Sequence, residues 1–216
     1  MPHIIAIDGP AASGKGTLAR RLAELYRFDH LDTGSLYRAV GLTILRSGGN
    51  PADCARALAA AKALTPGDPI LSDPSLRGDD AAQAASMVAS MPEVRATLLD
   101  FQHEFAARPP LGRGAVLDGR DIGTVVCPQA PVKLFITANV DIRAERRVNE
   151  LRQAGLEVIV STVQEDMKAR DERDSRRAVA PLTPAVDAFM LDTSALDADQ
   201  AFAAARAFVC AKIGPA

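Results

Sequence analysis

His3-Ile4-Ile5-Ala6-Ile7-Asp8-Gly9-Pro10-Ala11-Ala12-Ser13-Gly14-Lys15-Gly16-Thr17-Leu18 runs an apolar strand into a glycine loop and out again as a helix. The β-branched Ile4, Ile5 and Ile7 read as a buried strand ending at Asp8, and Leu18, Arg21, Leu22 and Leu25 mark a helical period over Lys15 to Arg27. Between them lies G-x-x-x-x-G-K, a loop whose successive backbone N–H groups cradle phosphate oxygens while the lysine reaches the β- and γ-phosphates. The following helix adds its positive N-terminal end. Three fixed letters arise by chance in about 5% of chains this long. The strand before and the helix after are the context the motif requires. Gly16 takes the place where the usual pattern has Ser or Thr, and the hydroxyl arrives one position later as Thr17, a candidate Mg²⁺ ligand.

Strands and helices alternate along the rest of the chain. A short strand at His30 to Asp32 precedes a helix carrying Leu36, Val40 and Ile44, which stops at Gly48-Gly49. Ala52 to Leu64 reads as an alanine-rich helix, Thr65 to Asp80 as irregular because of Pro66, Gly67, Pro69, Pro74 and Gly78, and Ala81 to Ala107 as helix broken at Pro92. Strands follow at Ala115 to Asp118 and Pro131 to Thr137, then helices at Val140 to Ala154 and Ser161 to Arg177, a strand at Ala188 to Leu191 and a helix at Asp197 to Lys212. This order predicts an α/β fold with a mostly parallel sheet covered on both faces.

Three further clusters carry chemistry. Asp32-Thr33-Gly34-Ser35-Leu36-Tyr37-Arg38 places a carboxylate, a hydroxyl and a guanidinium at a strand's C-terminal edge, where open α/β sheets bind ligands; the bland alternative is Thr33 as an N-cap beside a solvated Arg38. Asp118-Gly119-Arg120-Asp121-Ile122-Gly123-Thr124 delivers a carboxylate at the end of an apolar strand, with a tight surface turn as its alternative. Arg170-Asp171-Glu172-Arg173-Asp174-Ser175-Arg176-Arg177 alternates in sign at i,i+3 and i,i+4. That pattern fits a solvated, salt-bridged face, or a lid in which Arg170, Asp174 and Arg177 close over a phosphate.

The chain is 48% hydrophobic and 24% charged, with a formal net charge of −2. These values fall in the soluble globular range and leave no bulk positive field for nucleic acid or anionic membrane. Its 25 basic residues are 20 Arg and five Lys, a bias toward planar donors that suit oxyanions. Cys54, Cys127 and Cys210 are scattered, which argues against a disulfide framework or zinc site and for reduced thiols in a cytoplasmic protein. MPHIIAIDGP lacks a basic leader and a long apolar run, so neither export nor membrane insertion is expected.

With IDGPAASGKGT, LDTGSLYRAV, AASMVASMPEVRATLL, LDGRDIGTVVCP, APVKLFITA and RDERDSRRAVAPL in order, the chain resembles the bacterial cytidylate kinases, nucleoside monophosphate kinases of the P-loop class that phosphorylate CMP and dCMP. The resemblance implies a three-layer P-loop kinase fold with a central five-stranded parallel sheet, a helical monophosphate-binding insertion and a short lid. As a single cytidylate kinase domain, its core would span about 1–34, 112–154 and 182–216, its monophosphate-binding region about 35–111 and its lid about 155–181. It further implies ATP phosphates on Gly9, Pro10, Ala11, Ala12, Ser13, Gly14, Lys15, Gly16 and Thr17, with Arg146 near the donor adenine. Arg38, Arg120 and Arg177 would bind the CMP phosphate and the phosphoryl group in flight, so that Lys15, Arg120 and Arg177 are the catalytic set. Ser86, Arg95 and Asp121 would read cytosine, Thr33 would line the CMP site, and Arg170 and Asp174 would grip the ribose. Mg²⁺ would accompany ATP, the partners would be small molecules rather than nucleic acid or membrane, and the protein would be a monomer.

One region departs from the family pattern. Its members commonly carry a small β-sheet in the monophosphate-binding region, whereas Thr65 to Asp80 is short and broken by prolines. Other readings fit the residues less well. Adenylate kinases usually have glycine where Ala12 stands, no N-K-x-D motif marks a GTPase, and no L-S-G-G-Q marks an ABC-type ATPase.

Overall fold

The apolar strands and the helices between them fold as alternating β and α elements in the computed structural model, which describes residues 2–153, 155 and 157–216. The strands are β1 (His3–Asp8), β2 (Asp29–Asp32), β3 (Gly114–Gly119), β4 (Val132–Thr137) and β5 (Phe189–Asp192). Among the described residues they form one five-stranded sheet in the order β2-β3-β1-β4-β5. β1 pairs in parallel with both β3 and β4, and β4 with β5. The parallel α/β fold expected from the alternation is therefore present. β1 sits at the centre, and its register sets Asp8 opposite both Gly119 and Phe135. The C-terminal ends of the central strands thus reach one edge together, which is where open α/β sheets place their ligands.

The helices are α1 (Lys15–Tyr26), α2 (Thr33–Arg46), α3 (Cys54–Ala63), α4 (Asp79–Val88), α5 (Pro92–Ala107), α6 (Val140–Gln153), α7 (Val160–Arg176) and α8 (Ala198–Ile213). Ala154, the expected last residue of α6, and Leu156, within the expected lid, lie outside the described residues. The chain divides into two compact units, one comprising the segment up to Leu31 with Pro109–Ala216, the other Asp32–Arg108. In the first, Ile5, Ile7, Leu18, Leu22, Val116 and Leu134 are buried in one apolar cluster, so the same side chains that signalled strand and helix also form the core. α8 opens with a capping box in which Asp197 accepts from the Gln200 amide and Gln200 reaches back to the Asp197 amide, satisfying two orphan donors reciprocally.

In the second unit, α2 to α5 bury Leu36, Val40, Ile44, Val88, Val94 and Leu98 together. α2 and α4 approach closely at Gly41, where an added Cβ would stand 2.6 Å from the Ala84 Cβ. Between α3 and α4 the proline-rich segment forms two short 3₁₀ turns, Pro69–Ser72 and Pro74–Arg77. Each opens with an Asp carboxylate, Asp68 or Asp73, accepting a backbone N–H two residues on, the Asx geometry that Asp-Pro favours. No strand occurs in this stretch. Asp32 stands at the N-cap of α2 and Thr33 is its first helical residue, so the alternative of Thr33 as an N-cap is set aside. Among the described residues, no helix is long and apolar enough to cross a membrane.

Candidate active site

The phosphate loop begins where β1 ends. Gly9 has φ 153°, and a Cβ there would lie 2.0 Å from the Ile136 carbonyl oxygen of β4, so only glycine lets the loop leave the sheet this close to its neighbour. Gly14, at φ 87°, is the N-cap of α1 and supplies no side-chain cap; the helix's first amides are left to the loop and any anion it holds. Lys15 Nζ donates to the Pro10 carbonyl at 3.3 Å, arching back over the loop. Ser13 is fully buried, with no hydrogen-bond partner for its Oγ. Thr17 is exposed, and Arg20 Nη2 donates to its Oγ1 at 3.4 Å.

Residues far along the chain brace this loop. The Thr193 hydroxyl, just beyond β5, donates to the Ser13 carbonyl at 3.1 Å. Arg146 donates to Thr193 Oγ1 at 3.0 Å and to its carbonyl at 2.7 Å, which brings this predicted donor-side arginine to the loop's support. Asp8, a residue that sequence reasoning passed over, is buried at the end of β1. It accepts from the Ile122 and Gly123 amides at 2.8 and 2.7 Å, tying the phosphate-loop strand to the turn after β3. Burial pushes its carboxyl up to about 7, against the two amide hydrogen bonds, with Asp121 adding to the rise. A carboxylate at the end of an apolar strand was the available signal.

The Asp118–Thr124 stretch is no exposed surface turn. β3 buries Asp118, whose Oδ1 lies 2.7 Å from His30 Nε2. Asp121 is also buried and leads into a π-helical turn, Ile122–Val126. Arg120 donates through Nε to Asp174 Oδ2 at 2.8 Å and through Nη1 to the Gly119 carbonyl at 3.2 Å.

The charged α7 segment has the exposed, salt-bridged face its sequence allowed and, beside it, a face turned into the protein. Arg176 and Glu172 pair on the exposed face, whereas Asp174 is buried. Arg177, one residue past the helix, has a side chain 6% exposed, with Nη2 3.8 Å from Asp174 Oδ1. Burial alone would raise the Asp174 carboxyl, but Arg120, Arg177 and Arg170 together outweigh it and hold it below its ordinary value. Three arginines named from the sequence therefore converge on one buried carboxylate. Planar donors gathered around an oxyanion are the arrangement that phosphate groups also fit.

Within the helical unit, Arg38 pairs with Asp32. Arg95 is buried on α5, donating to the Ala89 carbonyl at 3.3 Å with its guanidinium over the Tyr37 ring. Ser86 on α4 and Thr33 are buried as well.

A glycine loop between a central parallel strand and a helix, with half-buried arginines gathered on a buried carboxylate in the same unit, defines a phosphate-loop nucleotide-binding protein. The family model described as cytidylate kinase matches residues 5–208, and the chain belongs to that family. It is 65% identical to the cytidylate kinase of Paramagnetospirillum magneticum over 98% of this chain and 100% of that one. It is 60% identical to that of Rhodospirillum rubrum over 94% of each. Among solved structures, an unliganded sugar kinase from Janibacter sp. HTCC2649 shares the fold at a TM-score of 0.51 and 13% identity, covering 99% of this chain and 97% of that one. The protein is thus a kinase enzyme of this family.

Proposed function

We propose that the protein transfers the γ-phosphoryl group of ATP to CMP or dCMP, giving ADP and CDP or dCDP, as a cytoplasmic monomer acting on small-molecule substrates. The observation that carries this reading is the convergence of Arg120, Arg170 and Arg177 on Asp174, in the same unit as the phosphate loop, in a chain of the cytidylate kinase family. Gly9 to Thr17 hold the ATP phosphates and Arg146 serves the donor side. Arg38, Arg120 and Arg177 take the acceptor phosphate and the moving phosphoryl group. Ser86, Arg95 and Asp121 read the base, Thr33 lines the CMP site, and Arg170 and Asp174 hold the ribose. Residues 35–111 act as the monophosphate-binding region and 155–181 as the lid of a single kinase domain.

No strong general base is required, because a phosphate monoester with a second pKa of about 6 already presents an ionised oxygen at neutral pH. The protein's work is placement and charge stabilisation: Lys15, the loop amides and the arginines align two anions and neutralise the equatorial oxygens of a loose transition state. The oxygen donors near the loop suit Mg²⁺. Thr17 offers a hydroxyl, and Asp118 Oδ2 stands 3.7 Å from where a Cβ on Gly16 would lie; a hard cation with few protein ligands and several waters fits that set. When bound with ATP, Mg²⁺ supplies further neutralisation of phosphate charge.

ADP release measured with CMP, dCMP, UMP, AMP and GMP in turn tests the proposal, with CMP and dCMP expected to dominate. Turnover with AMP instead would point to an adenylate-type kinase, and ATP binding without any monophosphate-dependent turnover to a nucleotide switch. Arg177→Ala is expected to reduce turnover by ~10³ or more, the scale of arginine contacts in related phosphoryl transfers.

A further inference from the structure

Arg143, in the first turn of α6, is buried, and its guanidinium contacts three separate segments. Nε donates to the Ala138 carbonyl at 2.9 Å. Nη1 donates to the Ala11 carbonyl of the phosphate loop at 3.2 Å. Nη1 and Nη2 also grip Asp171 of α7 as a fork, at 3.2 and 2.5 Å. A second contact runs in parallel. Ala12 holds a left-handed conformation, φ 56°, that residues with a Cβ rarely adopt, and its methyl packs on the apolar cluster of Ala144, Val148, Leu151, Val163 and Met167 between α6 and α7. The alanine that separates this loop from a more permissive glycine form therefore has a partner in the helix pair.

We propose that Arg143 is a positioning residue for phosphoryl transfer, clasping the phosphate loop at Ala11 to α7 at Asp171 so that the donor loop sets the placement of Asp174, Arg170 and Arg177. The clasp rests on the kinase reading given above. Asp171 and Asp174 are three residues apart and so neighbours on one helix face, and Asp174 is the carboxylate on which Arg120 is oriented. A shift of Asp171 passes directly to that pair. Lysine cannot replace Arg143, because an ammonium has no planar fork to hold two carboxylate oxygens and a carbonyl at once.

The test compares wild type, Arg143→Lys, Asp171→Asn and the double variant by steady-state kinetics and urea unfolding. Turnover is expected to fall about 10- to 100-fold in either single variant, the scale of an ångström's misplacement, with KM for ATP near wild type. The double variant is expected to be no worse than the poorer single one, since both break the same clasp. Wild-type turnover in Asp171→Asn, additive losses, or lowered stability with unchanged turnover per folded molecule would each overturn the proposal. Asp171 is partly exposed, so its variant decides the matter if Arg143→Lys does not fold. A second readout is independent of the acceptor. A non-hydrolysable ATP analogue is expected to slow amide hydrogen exchange across residues 160–176 in wild type and not in Asp171→Asn. Loss of CMP turnover in wild type with that protection intact would sink the substrate reading alone; absence of protection in wild type would sink the clasp.

Discussion

Arg120 Nε donates to Asp174 Oδ2 at 2.8 Å, joining residues 54 apart in sequence in a partly buried pair. Asp174 is held below its ordinary pKa of 3.8 although burial raises it, because three arginines act in the opposite sense. A carboxyl whose folded pKa is depressed contributes stability that is fully present above its unfolded pKa and is lost as pH falls through the folded value. Urea unfolding is therefore expected to show stability declining below about pH 4, and Asp174→Asn to remove part of that decline. An unchanged acid slope in the variant would contradict the pairing.

Asp8 has the opposite sign. Its carboxyl is raised from 3.8 to about 7, so between those values the folded protein holds a proton that the unfolded chain has released. Stability contributed through Asp8 therefore falls as pH rises from about 4 to about 7, and is constant above that. In Asp8→Asn this component should vanish. Unfolding free energies of the two proteins across the same pH range should diverge, wild type losing ground to the variant as pH rises. Parallel curves would show that Asp8 does not titrate there.

The two loop glycines should respond differently to alanine. At Gly9 the added Cβ meets the Ile136 backbone at 2.0 Å, which no side-chain rotation relieves. Gly9→Ala should fail to accumulate as folded protein, or should lose ATP binding by calorimetry. At Gly14 nothing lies within 4 Å of the new Cβ. Gly14→Ala should therefore cost only the left-handed backbone term of about 1–2 kcal/mol, with the melting temperature lowered by several degrees in a thermal scan.

In the helical unit, Gly41→Ala would bring a methyl within 2.6 Å of the Ala84 Cβ and 3.1 Å of its carbonyl carbon. Overpacking of this kind costs about 1–3 kcal/mol. Because Ser86 lies two residues beyond Ala84 on α4, the variant should also raise KM for CMP while leaving KM for ATP unchanged. A shift in the ATP value alone would run against the assignment of Ser86 to the acceptor.

The β1–loop–α1 unit was legible because its signals are local. β-Branched residues make the strand, glycine permits the turn, and leucines at helical spacing make the amphipathic face, so neighbours in sequence carry the whole message. Pro69 and Pro74 were likewise readable as breakers, although the 3₁₀ turns they open were not. Thr33 was harder to place, because Asp32 beside it has equal claim to the N-cap and only backbone dihedrals separate them.

For the RDERDSRR segment, periodicity could say that the residues share helix faces but not which face meets protein. The exposed Glu172–Arg176 pair and the buried Asp174 belong to the same alternating pattern. The sequence by itself determined the phosphate loop, the order of strands and helices and the family to which they belong. Tertiary structure alone decided that Asp8 holds the turn after β3, that Thr193 and Arg143 brace the loop, and that Arg120 joins Asp174. Each of those contacts joins residues brought together by the parallel register of β1, β3, β4 and β5 or by the packing of α6 on α7, and no local pattern encodes a partner that distant.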